Sequence, residues 1–88
     1  MTREDIKTAI LTFFRQEFEI ENPGLDDNLR DVHGFDSIDA IELLLEIENL
    51  LNSELTQEEK KRAMDIRTLN QVLDYIESLA EARLAPAG

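Results

Sequence analysis

The sequence predicts an all-α chain: a small antiparallel bundle of three main helices plus a short third helix, forming one domain over residues 1–88. Three observations predict it. Apolar residues recur at helical spacing in three long stretches. A threonine followed three positions later by an acid or amide stands before several helical stretches, as in capping boxes. With 42% hydrophobic residues, three glycines and two prolines among 88 residues, the composition is that of a helix-rich globular chain and not a disordered one. A folded chain of this size buries about 60 to 70% of its unfolded surface, enough for a small core.

Residues 2–18 carry the first helix. Thr2 and Asp5 make a capping box with aspartate in the usual glutamate place, and Glu4 and Asp5 suit the first turn. Ile6, Ala9, Ile10, Phe13 and Phe14 define a face broad enough to pack on two neighbours. From residue 19 to 35 the periodicity lapses, and Asn22-Pro23-Gly24 is a strong turn signal. A loop this long needs anchors in a small domain, and Ile20, Leu25, Leu29 and Val32 are expected to supply them. Asp26-Asp27-Asn28 reads as the start of a short helical turn. It lacks the alternating oxygen ligands and closing glutamate of a calcium loop, so no metal site is expected.

The second helix runs over residues 37–51. Ser37 stands where the apolar pattern resumes and reads as its N-cap, the hydroxyl accepting from unpaired backbone N–H groups. At 100° per residue, Ala40, Leu43, Leu44, Ile47 and Leu51 fall on one side and belong to the core. Asp39, Glu42, Glu46 and Asn49 form a polar strip opposite, leaving Ile38, Ile41 and Leu45 along a separate apolar edge beside the acids. An apolar edge rimmed by charge marks an interaction site. Thr56 and Glu59 box the start of a short third helix over residues 57–64, and Thr68 and Gln71 box the last helix, expected to end near Arg83 with a frayed tail at 84–88.

Charge narrows the function. The formal net charge is −11, from 20 acidic and nine basic residues, which repels nucleic acid and anionic membrane alike. Residues 31–59 hold nine acids and no lysine or arginine, a field that steers basic partners and raises encounter rates. Cysteine is absent, so any thiol chemistry must be imported. The first residues lack a signal-peptide layout and no apolar run approaches the roughly 18 residues of a membrane span, so a cytoplasmic protein is expected. No nucleophile, base and orienting group can be assembled, which argues against an enzyme. His33, the sole histidine, stands four residues before Ser37 without an acid partner at catalytic spacing, and reads as a packing or solvent-facing group.

One stretch remains, Gly34-Phe35-Asp36-Ser37-Ile38-Asp39. It resembles the Asp-Ser-Leu signature of the acyl carrier protein family, with Ile38 in the leucine place, and the resemblance extends over nearly the whole chain in helix order and length. It implies that the protein is not an enzyme and that the Ser37 hydroxyl, flanked by Asp36 and Ile38, is joined by a phosphodiester to 4'-phosphopantetheine. A phosphopantetheinyl transferase would install that arm from coenzyme A. The arm's thiol would then hold acyl thioesters for fatty-acid, lipid or polyketide biosynthesis enzymes. The resemblance further implies that the second helix docks on basic partner surfaces through Asp39, Ile41, Glu42, Leu45, Glu46 and Glu48, with the carrier a monomer. A phosphodiester at a helix start faces the positive end of the macrodipole, worth about 0.3 to 1 kcal/mol when exposed. That helps hold the arm's base but does not select the site, so the transferase must read the surrounding surface. The acyl chain is expected to fold back between helices against Phe13, Leu43, Ile47, Ile66 and Ile76.

Two alternatives stay open. A peptidyl or aminoacyl carrier would use the same arm, although such carriers commonly place a second glycine and a histidine or aspartate before the serine, and Phe35-Asp36 fits the acyl type better. An unmodified acidic helical module would bind a partner helix through Ile38, Ile41 and Leu45, with Ser37 only a cap. The chain also departs from common acyl carriers: His33 replaces the leucine that usually precedes the glycine, Asn49 and Leu50 stand where acids are usual, and Lys60-Lys61-Arg62 makes the third segment basic. Those departures point to a specialised carrier with its own partners, and a solvated basic turn explains the last of them equally well.

Overall fold

The computed structural model describes residues 2–84. Five helices follow in order, α1 (Arg3–Phe18), α2 (Leu29–His33), α3 (Ser37–Leu51), α4 (Gln57–Ala63) and α5 (Leu69–Leu84), and the described residues contain no strand. The three long helices are those expected from periodicity, and α4 is the short one. The expected turn after Asn28 is a distinct helix of five residues. The last helix runs one residue past its expected end, to Leu84, and the rest of the expected tail lies outside the described residues.

Helix ends follow local chemistry. Thr2 and Asp5 form the reciprocal box, with the Asp5 N–H donating to Thr2 Oγ1 (3.2 Å) and the Thr2 N–H to Asp5 Oδ2 (3.1 Å). Thr56 with Glu59, and Thr68 with Gln71, repeat the arrangement. The first helix stops before the proline signal, because Glu19 takes the left-handed conformation at φ 56° and turns the chain out. Asn52 ends α3 in the same way at φ 52°.

One core joins the elements. Ile6, Ile10 and Phe14 of α1 meet Leu43 and Ile47 of α3 and the buried stripe of α5 from Leu69 to Leu79. Burying a side chain of this kind stabilises by about 1.5 to 3 kcal/mol, so these residues dominate the fold. Arg3 is paired with Asp74 and Glu77, tying α1 to α5.

The loop over residues 19–28 is held differently from expectation. Ile20 and Leu29 are buried, but Leu25 and Val32 are exposed. Backbone bonds replace the missing anchors: the Asn70 N–H donates to the Leu25 carbonyl (2.9 Å) and the Leu29 N–H to the Arg67 carbonyl (2.9 Å). Asp26, Asp27 and Asn28 spend their side-chain oxygens on Asn70, on Gly24 with His33, and on the first N–H groups of α2. His33 therefore has an acid partner after all, with Nε2 3.1 Å from Asp27 Oδ2. That contact, together with the Gly24 N–H, holds the Asp27 carboxyl below the usual carboxylate range.

Helix α4 has no buried residue. It is fastened through Glu59, whose carboxylate takes both terminal nitrogens of Arg83 at 2.9 Å each while its backbone carbonyl accepts the Tyr75 hydroxyl at 2.6 Å. The Arg83 guanidinium, followed by the Thr56 N–H, lowers the Glu59 pKa from 4.5 to about 2. A carboxylate depressed on folding contributes stability that is complete above the unfolded value and disappears as pH falls through the folded one. Glu59→Gln is expected to lower stability near neutrality by about 1 to 2 kcal/mol, allowing for water around the pair. The gap between the two proteins in urea melts should close as pH falls from 4.5 to about 2. A gap that does not vary with pH would assign the effect to packing.

Candidate functional site

The site is the junction of α2 and α3. Gly34 closes α2 in the left-handed region at φ 69°, its N–H directed at the Arg30 carbonyl (3.1 Å). An added Cβ would have nothing within 4 Å, so glycine is required here by backbone conformation and not by crowding. Phe35 then inserts its ring among Phe14 (5.6 Å between centroids, stacked) and Phe18 (5.5 Å, edge-on). With Phe13 on Phe18 at 5.3 Å, all four phenylalanines form one cluster. This cluster is what locates the start of α3.

The cap of α3 is Asp36 and not Ser37. Asp36 is extended (φ −110°, ψ −172°), and its Oδ1 accepts from the N–H groups of Ile38 and Asp39, both at 2.9 Å. Asp39 returns the bond, Oδ2 accepting from the Asp36 N–H at 3.1 Å. Ser37 is therefore the first residue inside the helix, exposed, with its hydroxyl taking no part in the cap. The N–H donors expected to face a phosphodiester are largely taken by Asp36, and two carboxylates already meet the positive end of the dipole.

Beside Ser37 opens a cleft of about 500 Å³. Its apolar walls are Leu29 and Phe35 from the α2 side, Leu43, Leu44 and Ile47 of α3, and Ala63 and Ile66 from the α4 side. Ala40 and Leu44, expected in the core, are only half-buried because they face this cleft. Of the residues expected to meet an acyl chain, Leu43, Ile47 and Ile66 line it. Phe13 belongs to the aromatic cluster and Ile76 is fully buried in the core, so neither does.

The outer face of α3 is as the wheel describes it. Ile38, Ile41 and Leu45 are 67%, 60% and 56% exposed. Val32 and Met64 are likewise exposed, although hydrophobicity marks Val32 as a loop anchor and nothing in the pattern of the short helix marks Met64. Among the acids, Asp39 is engaged in the cap and Glu48 accepts the Leu55 N–H at 2.8 Å, leaving Glu42 and Glu46 without a hydrogen bond or ion pair among the described residues. The basic cluster divides. Lys60 faces the cleft, whereas Arg62 donates to Ser78 Oγ (2.8 Å) and lies over the Tyr75 ring. No helix of the described residues is long and apolar enough to cross a membrane.

Ser37, exposed at a helix start and released from capping, thus presents a free hydroxyl on the rim of an apolar cleft. The family model described as "Phosphopantetheine attachment site" matches residues 8–76, and the chain belongs to that family of non-catalytic carrier proteins. Its prosthetic group is covalent 4'-phosphopantetheine, installed by a phosphopantetheinyl transferase. The site fits the group, since Ser37 is exposed beside the cleft and its hydroxyl is not spent on the cap. Comparison with curated proteins returns no match.

Removing the cap should weaken the site's frame. Asp36→Ala is expected to cost about 1 kcal/mol and lower the melting temperature by about 4 to 8 °C, with Asp36→Asn close to wild type. Gly34→Ala should cost about 1 to 2 kcal/mol and Gly34→Asn less, because asparagine tolerates the left-handed region. Equal melting temperatures for alanine and asparagine at position 34 would refute the conformational account.

Proposed function

We propose that Ser37 bears the phosphopantetheine arm and that the protein is an acyl carrier, a cytoplasmic monomer presenting acyl thioesters to fatty-acid, lipid or polyketide biosynthesis enzymes. One observation carries the reading: an exposed Ser37, relieved of capping by Asp36, on the rim of an apolar cleft of about 500 Å³. That volume lies within the roughly 300 to 1,000 Å³ of small-molecule pockets. The walls from Leu43, Leu44, Ile47 and Ile66 favour an aliphatic cargo over an amino acid or peptide. The same geometry counts against an unmodified module in which Ser37 serves only as a cap.

This chain's own residues hold and aim. Asp36 and Asp39 fix the first turn of α3, and with it the backbone position from which the Ser37 side chain extends. The arm, when attached, supplies the thiol on which acyl groups are carried. Ile38, Ile41 and Leu45 offer a partner apolar contact, while Glu42 and Glu46 supply free charge for a basic docking surface.

Two outcomes test this. Incubation with coenzyme A, magnesium and a broad-specificity transferase should add one phosphopantetheine to the wild type and none to Ser37→Ala, read by intact mass; equal addition to both would place the arm elsewhere. Glu42→Lys and Glu46→Lys should slow partner reactions by about threefold to tenfold at low salt and less at high salt. Unchanged low-salt rates would remove the docking role.

A further inference from the structure

The lining of the cleft beside Ser37 inverts the sign of the chain. Among the cleft's residues stand three cations, Arg30, Lys60 and Arg67, against a single carboxylate, Asp36, in a protein of net charge −11. They come from separate elements: Arg30 from α2, Lys60 from α4, and Arg67 from the segment between α4 and α5. Two of them are uncommitted, for Arg30 and Lys60 form no ion pair among the described residues. Arg67 is aimed by its own backbone ties, Nη1 donating to the carbonyls of Met64 (2.7 Å) and Ile66 (2.9 Å). Those are neutral partners, so its charge is unmatched. The acidic field elsewhere makes the contrast sharper: Asp36 is the one carboxylate in the lining, and Asp39 beside it is tied to the Asp36 N–H.

An apolar floor with a cationic rim is the recognition pattern of an amphiphilic anion, an aliphatic segment ending in charged oxygens. We propose that Arg30, Lys60 and Arg67 bind an oxyanion carried on the Ser37 substituent, either the phosphodiester of the arm or a carboxylate at the far end of the cargo, and so draw that substituent over the cleft. The cations then have a task distinct from docking. They retain the substituent against the carrier, and the acidic outer face of α3 recruits the partner. This rests on the arm being on Ser37.

The test compares apo, holo, octanoyl-holo and eight-carbon ω-carboxyacyl-holo forms of the wild type, of Arg30→Gln/Lys60→Gln and, separately, of Arg67→Gln. The double variant alters two exposed side chains and keeps the fold; Arg67→Gln also loses the ties to Met64 and Ile66, so the double variant decides. Intact mass is read first: failure of the wild type to load the arm would overturn the carrier reading itself, not this one. In loaded protein, amide shifts at Ile41, Ala63 and Ile66 and the rate of thioester cleavage by hydroxylamine report on the cleft. The oxyanion-bearing form should show amide shifts that 0.5 M salt and the double variant both abolish, and its thioester should be cleaved about three- to fivefold more slowly in wild type than in the variant. A difference between wild type and variant already present in the holo form assigns the oxyanion to the phosphodiester. One that appears only with the ω-carboxylated chain assigns it to the cargo. Identical shifts and rates in wild type and double variant across all four forms would overturn the proposal.

Discussion

The seating of Phe35 between Phe14 and Phe18 is the constraint on which the site depends. Aromatic contacts of this geometry add about 0.5 to 1.5 kcal/mol each beyond the area they bury. More important here is where they act. Phe35 immediately precedes the cap, its own N–H donates to the Leu29 carbonyl (3.1 Å), and Gly34 before it supplies the reversal that sends the ring inward. With the ring fixed against α1, Asp36 must begin α3 where it does, and Ser37 must emerge one position later on the solvent side. A surface group is thus placed by the core.

Two kinds of fastening share the molecule. The long helices are held by buried aliphatic side chains, and the connecting pieces by polar bonds at their ends. Asn28 caps α2, Glu48 reaches the Leu55 N–H between α3 and α4, and Glu59 holds α4 to α5 through Arg83 and Tyr75. Buried charge is avoided throughout: no charged residue among the described residues is buried. In so acidic a chain this arrangement spends its few cations with care. Arg3 and Arg83 go to structure, and Arg30 and Lys60 stay free.

Most of the helical plan was legible because it is local. The boxes at Thr2, Thr56 and Thr68 lie within four residues, and the stripes of α1 and α5 follow one period. The Ser37 motif was legible as well, but its cap was misplaced by one residue, since aspartate and serine are almost equally good caps and stand side by side. What escaped is what needs the third dimension. The Glu59–Arg83 clamp spans 24 residues, the loop's attachment runs through backbone groups of Leu25 and Leu29 whose partners no periodicity reveals, and Lys60 parts from its neighbours in the basic cluster only because α4 turns it toward the cleft. Leu25 and Val32 look like anchors in any hydrophobicity reading. The backbone bonds of the loop make them unnecessary.

Because α4 has no fully buried residue, the two sides of the cleft are secured differently. A wall built from interlocking core side chains yields only by opening voids, at about 24 cal/mol for each Å³ left empty. A wall secured by polar contacts leaves less of a void where they part, because its polar groups can bond to water instead. Helix α4 forms such a wall, contributing Lys60, Ala63 and neighbouring Met64 to the cleft with only Ala63 set partly against the core. The α4 side of the cleft is therefore held mainly by the ties of Glu59 to Arg83 and Tyr75, whereas the α3 side is held by the buried Leu43 and Ile47.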